Sequence, residues 1–427
     1  MPFDRLTNED ESHIRRQHAA ARDLLDEARD LLLGRVDSLP VAWAEARGWS
    51  GYLLALSEDA LDTADTLGIG RWFLADSDFP ATLRELAWRV EGLCVLPQLG
   101  LPKNPGENPK IDWPFTGARK RQQIAAVLHV LRTFYPRIGQ LVDVGAGRGQ
   151  LTTRAASALS VPALGLERDG ERVAVARLLA RLLDEDAQVE FLTTDFITDN
   201  LTSETSVLER LERVPDRLLL ALHGCGELGD ALVRSAVSLS AHVLLLACCP
   251  QKIRAQQRPP LAGCGPTLPK QVLGLANVLS RTAGIEGSLV SELATKEARL
   301  ALRYLFEARG IAVPAGEEMR GVNRRKVHAG LAVLALAACQ ARGLPYPSEI
   351  ELHTAATRAH DQYLARRRLS LPRSMLGRVL EIFLALDRAM FLLAAGYTVR
   401  VVELFPVGVS PRNIAVLGRS PRTSSSR

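Results

Sequence analysis

The sequence predicts an α/β protein built on a mostly parallel sheet, with a helical region ahead of the sheet and another before its last two strands. Three observations carry this. Apolar runs at 138–142, 161–166, 189–193, 218–222 and 241–247 alternate with helix-period segments, the pattern of parallel strands joined by crossover helices. The first run leads through Asp143 into three alternate glycines, Gly145, Gly147 and Gly149, and then into a helical pattern over 151–159. Residues without a Cβ let a chain turn tightly and approach a ligand closely between strand and helix. After a long helical stretch, about 270–395, strand patterns return at 398–405 and 414–417, which fits a closing antiparallel hairpin.

Residues 1–108 form the expected N-terminal helical domain, 109–418 the sheet domain and 419–427 a disordered tail rich in serine and arginine. In the first region Ile14, Ala21, Leu24, Leu25, Ala28, Leu31 and Leu32 recur at helical spacing. Ser57 ahead of Glu58-Asp59 reads as an N-cap with an acidic first turn. Trp43, Trp49, Trp72 and Trp88 are expected core anchors. Residues 101–109 break all periodicity and read as a linker.

Next comes Trp113-Pro-Phe-Thr-Gly-Ala-Arg119-Lys120-Arg121, opening a helix that runs to about Tyr135. Cations at a helix start oppose the helix dipole. Arg119 and Lys120 are therefore candidate contacts for a substrate phosphate or a cofactor carboxylate, against the plainer reading of a solvated helix start. The acid Glu167 ends the second strand, where a carboxylate can accept hydrogen bonds from both hydroxyls of a ribose. Asp195-Phe196, just past the third strand, offers a carboxylate for an adenine amino group and a ring to pack on the base.

His223-Gly-Cys225-Gly follows the fourth strand and Cys248-Cys249-Pro250 the fifth. In a parallel sheet, ligands lie beyond the strand carboxyl ends, so these residues should gather over one cleft with the glycine loop. Lys252 and the loop 258–266 would form its rim. Two further basic clusters, Arg324-Arg325-Lys326 and Arg366-Arg367-Arg368, read as solvated helix faces ahead of a nucleic-acid patch, since no aromatics interleave with them.

Bulk properties exclude some classes. At 427 residues, 47% hydrophobic and 24% charged, the chain has the composition of a globular protein. No apolar stretch approaches the ~18 residues that span a bilayer, so no membrane is expected, and the N-terminus lacks a secretory pattern. Six scattered cysteines do not form a disulfide framework, which favours a cytoplasmic location. A net charge of +5 and a pI near 9.0 permit a polyanionic partner without requiring one. No obligate protein partner is evident.

An acid two positions before G-x-G-x-G resembles motif I of the class I methyltransferases that use S-adenosyl-L-methionine. The third glycine of a nicotinamide fingerprint falls here on Gln150. Together with His223-Gly-Cys-Gly, Cys248-Cys249 and Ser410-Pro411-Arg412-Asn413, the chain resembles the methyltransferase-like protein 25 group. That group includes the relative named for a ribosomal RNA adenine dimethylase domain. More distant similarity reaches the tRNA 2′-O-methyltransferases. The resemblance spans about 40–418 and implies a Rossmann-like seven-stranded class I methyltransferase sheet.

By that resemblance Asp143, Gly145, Gly147 and Glu167 hold the cofactor, S-adenosyl-L-methionine, with Ala146, Gly149 and Arg168 beside them. His223, Cys225 and Cys249 line the acceptor site, and Lys252, Arg412 and Asn413 join Arg119 and Lys120 as substrate contacts. The group's lysine pair and histidine before the first strand stand here as Arg119-Lys120 and Gln122.

Three chemistries suit these residues. His223 serves as a general base or acceptor-orienting group through its pKa near operating pH, or else fixes its turn by a backbone bond. Cys225 and Cys249 sit where enzymes that methylate cytosine carbon 5 place a covalent thiolate, although the rest of that pattern is missing. A metal held by His223, Cys225, Cys248 and Cys249 is not expected, because adjacent cysteines poorly share one tetrahedral ion. The expected acceptor is RNA, at nitrogen or oxygen. A protein or small-molecule acceptor and a non-catalytic cofactor-binding scaffold are the alternatives.

Overall fold

A computed structural model describes residues 8–34, 36, 39–99, 116–184, 186–198, 214, 216–277, 286–314 and 317–421. The expected linker at 101–109, the start of the basic motif at 113–115 and residues 422–427 of the expected tail lie outside the described residues, as do the side chains of Arg324 and Arg325. Two compact units emerge: 1–32, 89–280 and 376–427 form the first, and 33–88 with 281–375 the second. The helical residues ahead of the sheet thus contribute to both units.

The first unit is organised by strands β1 (Gln140–Val144), β2 (Ala163–Glu167), β3 (Val189–Thr193), β4 (Arg217–Leu222) and β5 (His242–Leu246). A two-residue ladder, β6 (Gln257–Arg258) with β7 (Leu268–Pro269), closes the rim loop. The sheet ends with β8 (Thr398–Glu403) and β9 (Ile414–Arg419). Strand order is β3-β2-β1-β4-β5-β9-β8. β9 runs antiparallel to both β5 and β8, and every other pairing in this sheet is parallel. This is the mostly parallel seven-stranded α/β sheet expected, with the late hairpin inserted beside β5.

The continuous apolar runs follow from burial on both faces. Val142, Val144, Leu219, Ala221, Val243 and Leu245 pack on one side, beneath the helix Glu227–Ser238 and the end of the long helix Glu349–Ala394. Their neighbours Leu141, Leu218, Leu220, Leu222, Leu244 and Leu246 pack on the other, against the helices Ala118–Phe134 and Gln150–Leu159. The two edge strands, β3 and β8, keep the most half-exposed or exposed positions.

In the second unit Leu302, Leu305, Phe306, Leu334, Ala338 and Ala359 form a separate core. Ser57 caps its helix as expected, its Oγ accepting the Ala60 N–H at 3.1 Å. Trp43, Trp49 and Trp72 are buried, whereas Trp88 is 70% exposed on the helix Ala81–Leu93 and anchors no core. Spacing alone placed it inward; the helix turns that ring to solvent. Arg367 pairs with Asp62 and Asp65 at 2.8 and 2.7 Å, so its cluster is partly neutralised within the protein. Among the described residues no helix is long and apolar enough to cross a membrane.

Candidate functional site

The site grows from the end of β1. Gly145, Gly147 and Gly149 all hold positive φ, at 81°, 60° and 73°, conformations that L side chains adopt only with strain. At Gly149 a side chain is also excluded sterically, since a Cβ there would lie 2.5 Å from the Phe191 ring. Above Gly147 the space is open. The loop is pinned to β2: the N–H groups of Gly145 and Ala146 both donate to the Leu166 carbonyl, at 2.8 and 3.0 Å.

Glu167 completes this cradle. It is buried at the tip of β2, with Oε2 accepting the Gly147 N–H at 2.9 Å and Oε1 the Asp169 N–H at 3.2 Å. Each carboxylate oxygen retains acceptor capacity, so a diol lying over the open Gly147 finds acceptors in place. That chemistry fits the ribose of S-adenosyl-L-methionine.

Asp143 lies inside β1 and is buried, accepting the Thr152 hydroxyl at 2.6 Å. Burial pushes its carboxyl up to about 6, against the Thr152 bond and the Lys120 charge, which both favour ionisation. Lys120 in turn is lowered by burial and supported by Asp143. The Lys120 charge is thus near enough to Asp143 for each to favour the other's ionised form.

Phe196 departs from its expected role, while Asp195 stays half-exposed at the strand end in a surface ion pair. Asp195 Oδ2 is paired with Arg254 at 3.0 Å, and Oδ1 accepts the N–H groups of Ile197 and Thr198. The Phe196 ring is buried in the core cluster with Val144 and Leu166, so hydrophobic burial rather than an adenine ring occupies its face. Arg168 is exposed beside Glu167.

On the other flank His223 occupies the left-handed region, φ 75°, an uncommon state that marks a constrained turn. Its N–H and that of Gly224 both donate to the Leu246 carbonyl, at 2.9 and 3.0 Å. The ring's Nε2 meets Gln123 Oε1 at 3.4 Å. Burial and then the charges of Lys120 and Arg119 depress its pKa to about 4. Of the two roles expected of His223, general base or acceptor-orienting group, this depressed value, which leaves the imidazole neutral at physiological pH, favours the second.

Cys225 follows on the same turn, its sulfur 2.6 Å from that of Cys248. The sulfurs of Cys225, Cys248 and Cys249 lie within 4.8 Å of one another. His223 Nε2 faces Gln123 instead, so the four-residue set weighed from sequence is reduced to three sulfurs. The bond from Cys248 and the Lys252 charge hold the Cys225 thiol well below the usual range, against burial, while Cys248 is displaced upward by the same bond and by burial. The rim behind them is fixed: Arg258 is buried between Asp230 and Asp387, at 2.8 Å from each.

The terminal motif acts as scaffold. Ser410 Oγ accepts from Arg119 at 3.1 Å. Arg412 donates to the Ala276 carbonyl at 2.7 Å and to Asn277. Asn413 is fully buried, donating to the Phe405 carbonyl at 3.0 Å and accepting from Arg378 at 2.9 Å. Asn413 is thus committed to interior bonds, which corrects its expected role as a substrate contact, whereas Arg119 stays exposed and Arg412 half-buried. Lys252 remains exposed at the rim. Sequence reading missed Gln123, Thr152 and Arg254: single polar residues within apolar or basic helices and loops carry no motif.

A family model described as a methyltransferase domain matches residues 119–256, the stretch holding the glycine loop, Glu167, His223 and the three cysteines. The chain therefore carries a methyltransferase domain, and S-adenosyl-L-methionine is the cofactor of that class. The match is coarser than the methyltransferase-like protein 25 group. No curated protein matches the chain.

Among solved structures, TrmN from Thermus thermophilus is 23% identical over 28% of this chain, with a TM-score of 0.22; the chain spans only 37% of that protein. Magnesium protoporphyrin IX methyltransferase (ChlM) from Synechocystis PCC 6803, solved with bound SAH, is 15% identical, covering 43% of this chain and 69% of that one, with a TM-score of 0.22. The 4+2 cyclase SpnF is 18% identical, covering 60% and 85%, with a TM-score of 0.23. The fold assignment rests on the strand order itself.

Proposed function

We propose that this chain is a cytoplasmic S-adenosyl-L-methionine-dependent methyltransferase of the methyltransferase-like protein 25 group, acting on RNA at a nitrogen or oxygen. The observation that carries the cofactor reading is the Gly147–Glu167 bond beneath an open glycine loop, within the matched methyltransferase domain. An RNA acceptor is supported by the net charge of +5 and pI near 9.0.

The cofactor supplies a methyl group made electrophilic by its sulfonium sulfur. The chain's own work is then to position and desolvate the acceptor. Glu167 fixes the ribose end, and the glycine loop lets the ligand lie against bare backbone. His223, neutral and held by Gln123, presents an imidazole that accepts a hydrogen bond from the acceptor's N–H or O–H without carrying charge toward the sulfonium. Lys252 at the rim offers an exposed cation for a phosphate.

The test uses purified protein and radiolabelled S-adenosyl-L-methionine on extract from cells lacking the gene, with products divided between ribonuclease and protease digestion. Label lost only to ribonuclease supports the RNA reading. Label lost only to protease moves the acceptor to protein. Retention through both points to a small molecule, and no label with binding intact points to a scaffold.

A further inference from the structure

The cofactor cradle and His223 leave one cluster of reactive side chains without a task. Cys225 stands on the turn after β4, and Cys248 and Cys249 directly follow β5. The pairing of Leu222 with Leu246 and the two N–H bonds to the Leu246 carbonyl hold these segments side by side. The Cys225 and Cys248 sulfurs, 2.6 Å apart, are within about 0.6 Å of the ~2.05 Å disulfide length. Both residues are free thiols, Cys225 half-buried and Cys248 buried, so a small solute reaches the first with the second waiting behind it.

We propose that Cys225 and Cys248 are a peroxide-sensitive modification site that closes reversibly to a disulfide at the acceptor side of the cleft. Cys225 is the attacking sulfur. The hydrogen bond with Cys248 and the nearby Lys252 charge favour the Cys225 thiolate, while the same bond and burial favour protonated Cys248. The Cys225 thiolate attacks one peroxide oxygen: an S–O bond forms, the O–O bond breaks and hydroxide leaves. Cys248 then gives its proton to that hydroxide and attacks the Cys225 sulfur. An S–S bond forms, the S–O bond breaks, and the departing hydroxide takes a proton from solvent.

In all, two thiols lose two electrons and hydrogen peroxide is reduced to two waters. A dithiol reverses the change by exchange. Cys248 and Cys249 are adjacent and cannot pair with each other in ordinary disulfide geometry without distorting the backbone; Cys249, within 4.8 Å of the Cys225 sulfur, is the competing partner that peptide mapping distinguishes. The proposal does not depend on methyl transfer.

The test treats the reduced full-length protein with equimolar hydrogen peroxide, quenches with iodoacetamide, and maps peptides by mass spectrometry without reduction. A Cys225–Cys248 cross-linked peptide is expected, with two thiols lost per chain and recovered by dithiothreitol. Cys225→Ser should abolish the cross-link, and Cys264→Ser, at the exposed cysteine of the rim loop, should leave it intact. Should Cys225→Ser fail to fold, the pH profile of iodoacetamide alkylation at Cys225 in the unaltered protein serves instead, with a midpoint expected below that of an ordinary thiol. Alkylated Cys225 and Cys248 after peroxide, a different cross-link, or an ordinary alkylation midpoint would each overturn the proposal. So would a stoichiometric thiophilic metal that protects all three thiols until it is chelated.

Discussion

The Gly147 backbone N–H donates to the Glu167 carboxylate across 2.9 Å, locking the glycine loop after β1 to the tip of β2. One acidic side chain thereby shapes the loop and faces the space above it. Replacing Glu167 with Ala removes both functions. Cofactor affinity should fall at least ~10-fold, equivalent to about 1.4 kcal/mol. Equilibrium dialysis with labelled S-adenosylhomocysteine measures this, and unchanged binding would remove Glu167 from the cradle.

Gly149→Ala should be more damaging to the fold than its single methyl suggests. The added carbon meets the Phe191 ring at 2.5 Å and must adopt φ 73°. Overpacking and backbone strain each cost about 1–3 kcal/mol. Differential scanning calorimetry should show a clear drop in Tm, and an unchanged Tm would mean that this turn relaxes easily.

Asn413→Ala should act on stability. It leaves the Arg378 guanidinium and the Phe405 carbonyl short of a buried partner, at about 1–3 kcal/mol. Urea unfolding reads the loss. An unchanged urea midpoint would mean that these buried bonds add nothing to the fold.

His223 makes a pH prediction with a definite sign. Its folded pKa is depressed to about 4 from the ordinary 6.5. The unfolded chain therefore binds the proton first, and folding stability falls as pH drops from 6.5 through about 4, by at most about 1.4 kcal/mol per pH unit. Asp143, raised to about 6, opposes this by losing stability as pH rises through the same window. His223→Gln should therefore lose less stability on acidification from pH 7 to 4.5 than the unaltered protein. Parallel urea midpoints across that range would contradict the shift.

Much of the fold was legible because parallel strands buried on both faces leave unbroken apolar runs, and because Gly145, Gly147 and Gly149 mark a turn that few other residues adopt. The glycine turn after β1 was legible for the same reason. Side-chain commitment was not. Arg412 and Asn413 look like surface chemistry in a polar motif, yet tertiary contacts more than 30 residues away absorb them. Trp88 and Phe196 show the converse: a helical period and a strand end fix where a ring starts, while packing decides whether it faces core or solvent. Sequence could not reveal that Gln123 would meet His223, since 100 residues separate them.

Isothermal titration of S-adenosyl-L-methionine into the purified full-length chain tests the cofactor claim most directly. One saturable site per chain, displaced by S-adenosylhomocysteine and weakened at least ~10-fold (about 1.4 kcal/mol) in Glu167→Ala, is the predicted result. No binding, or binding that Glu167→Ala leaves untouched, would contradict it.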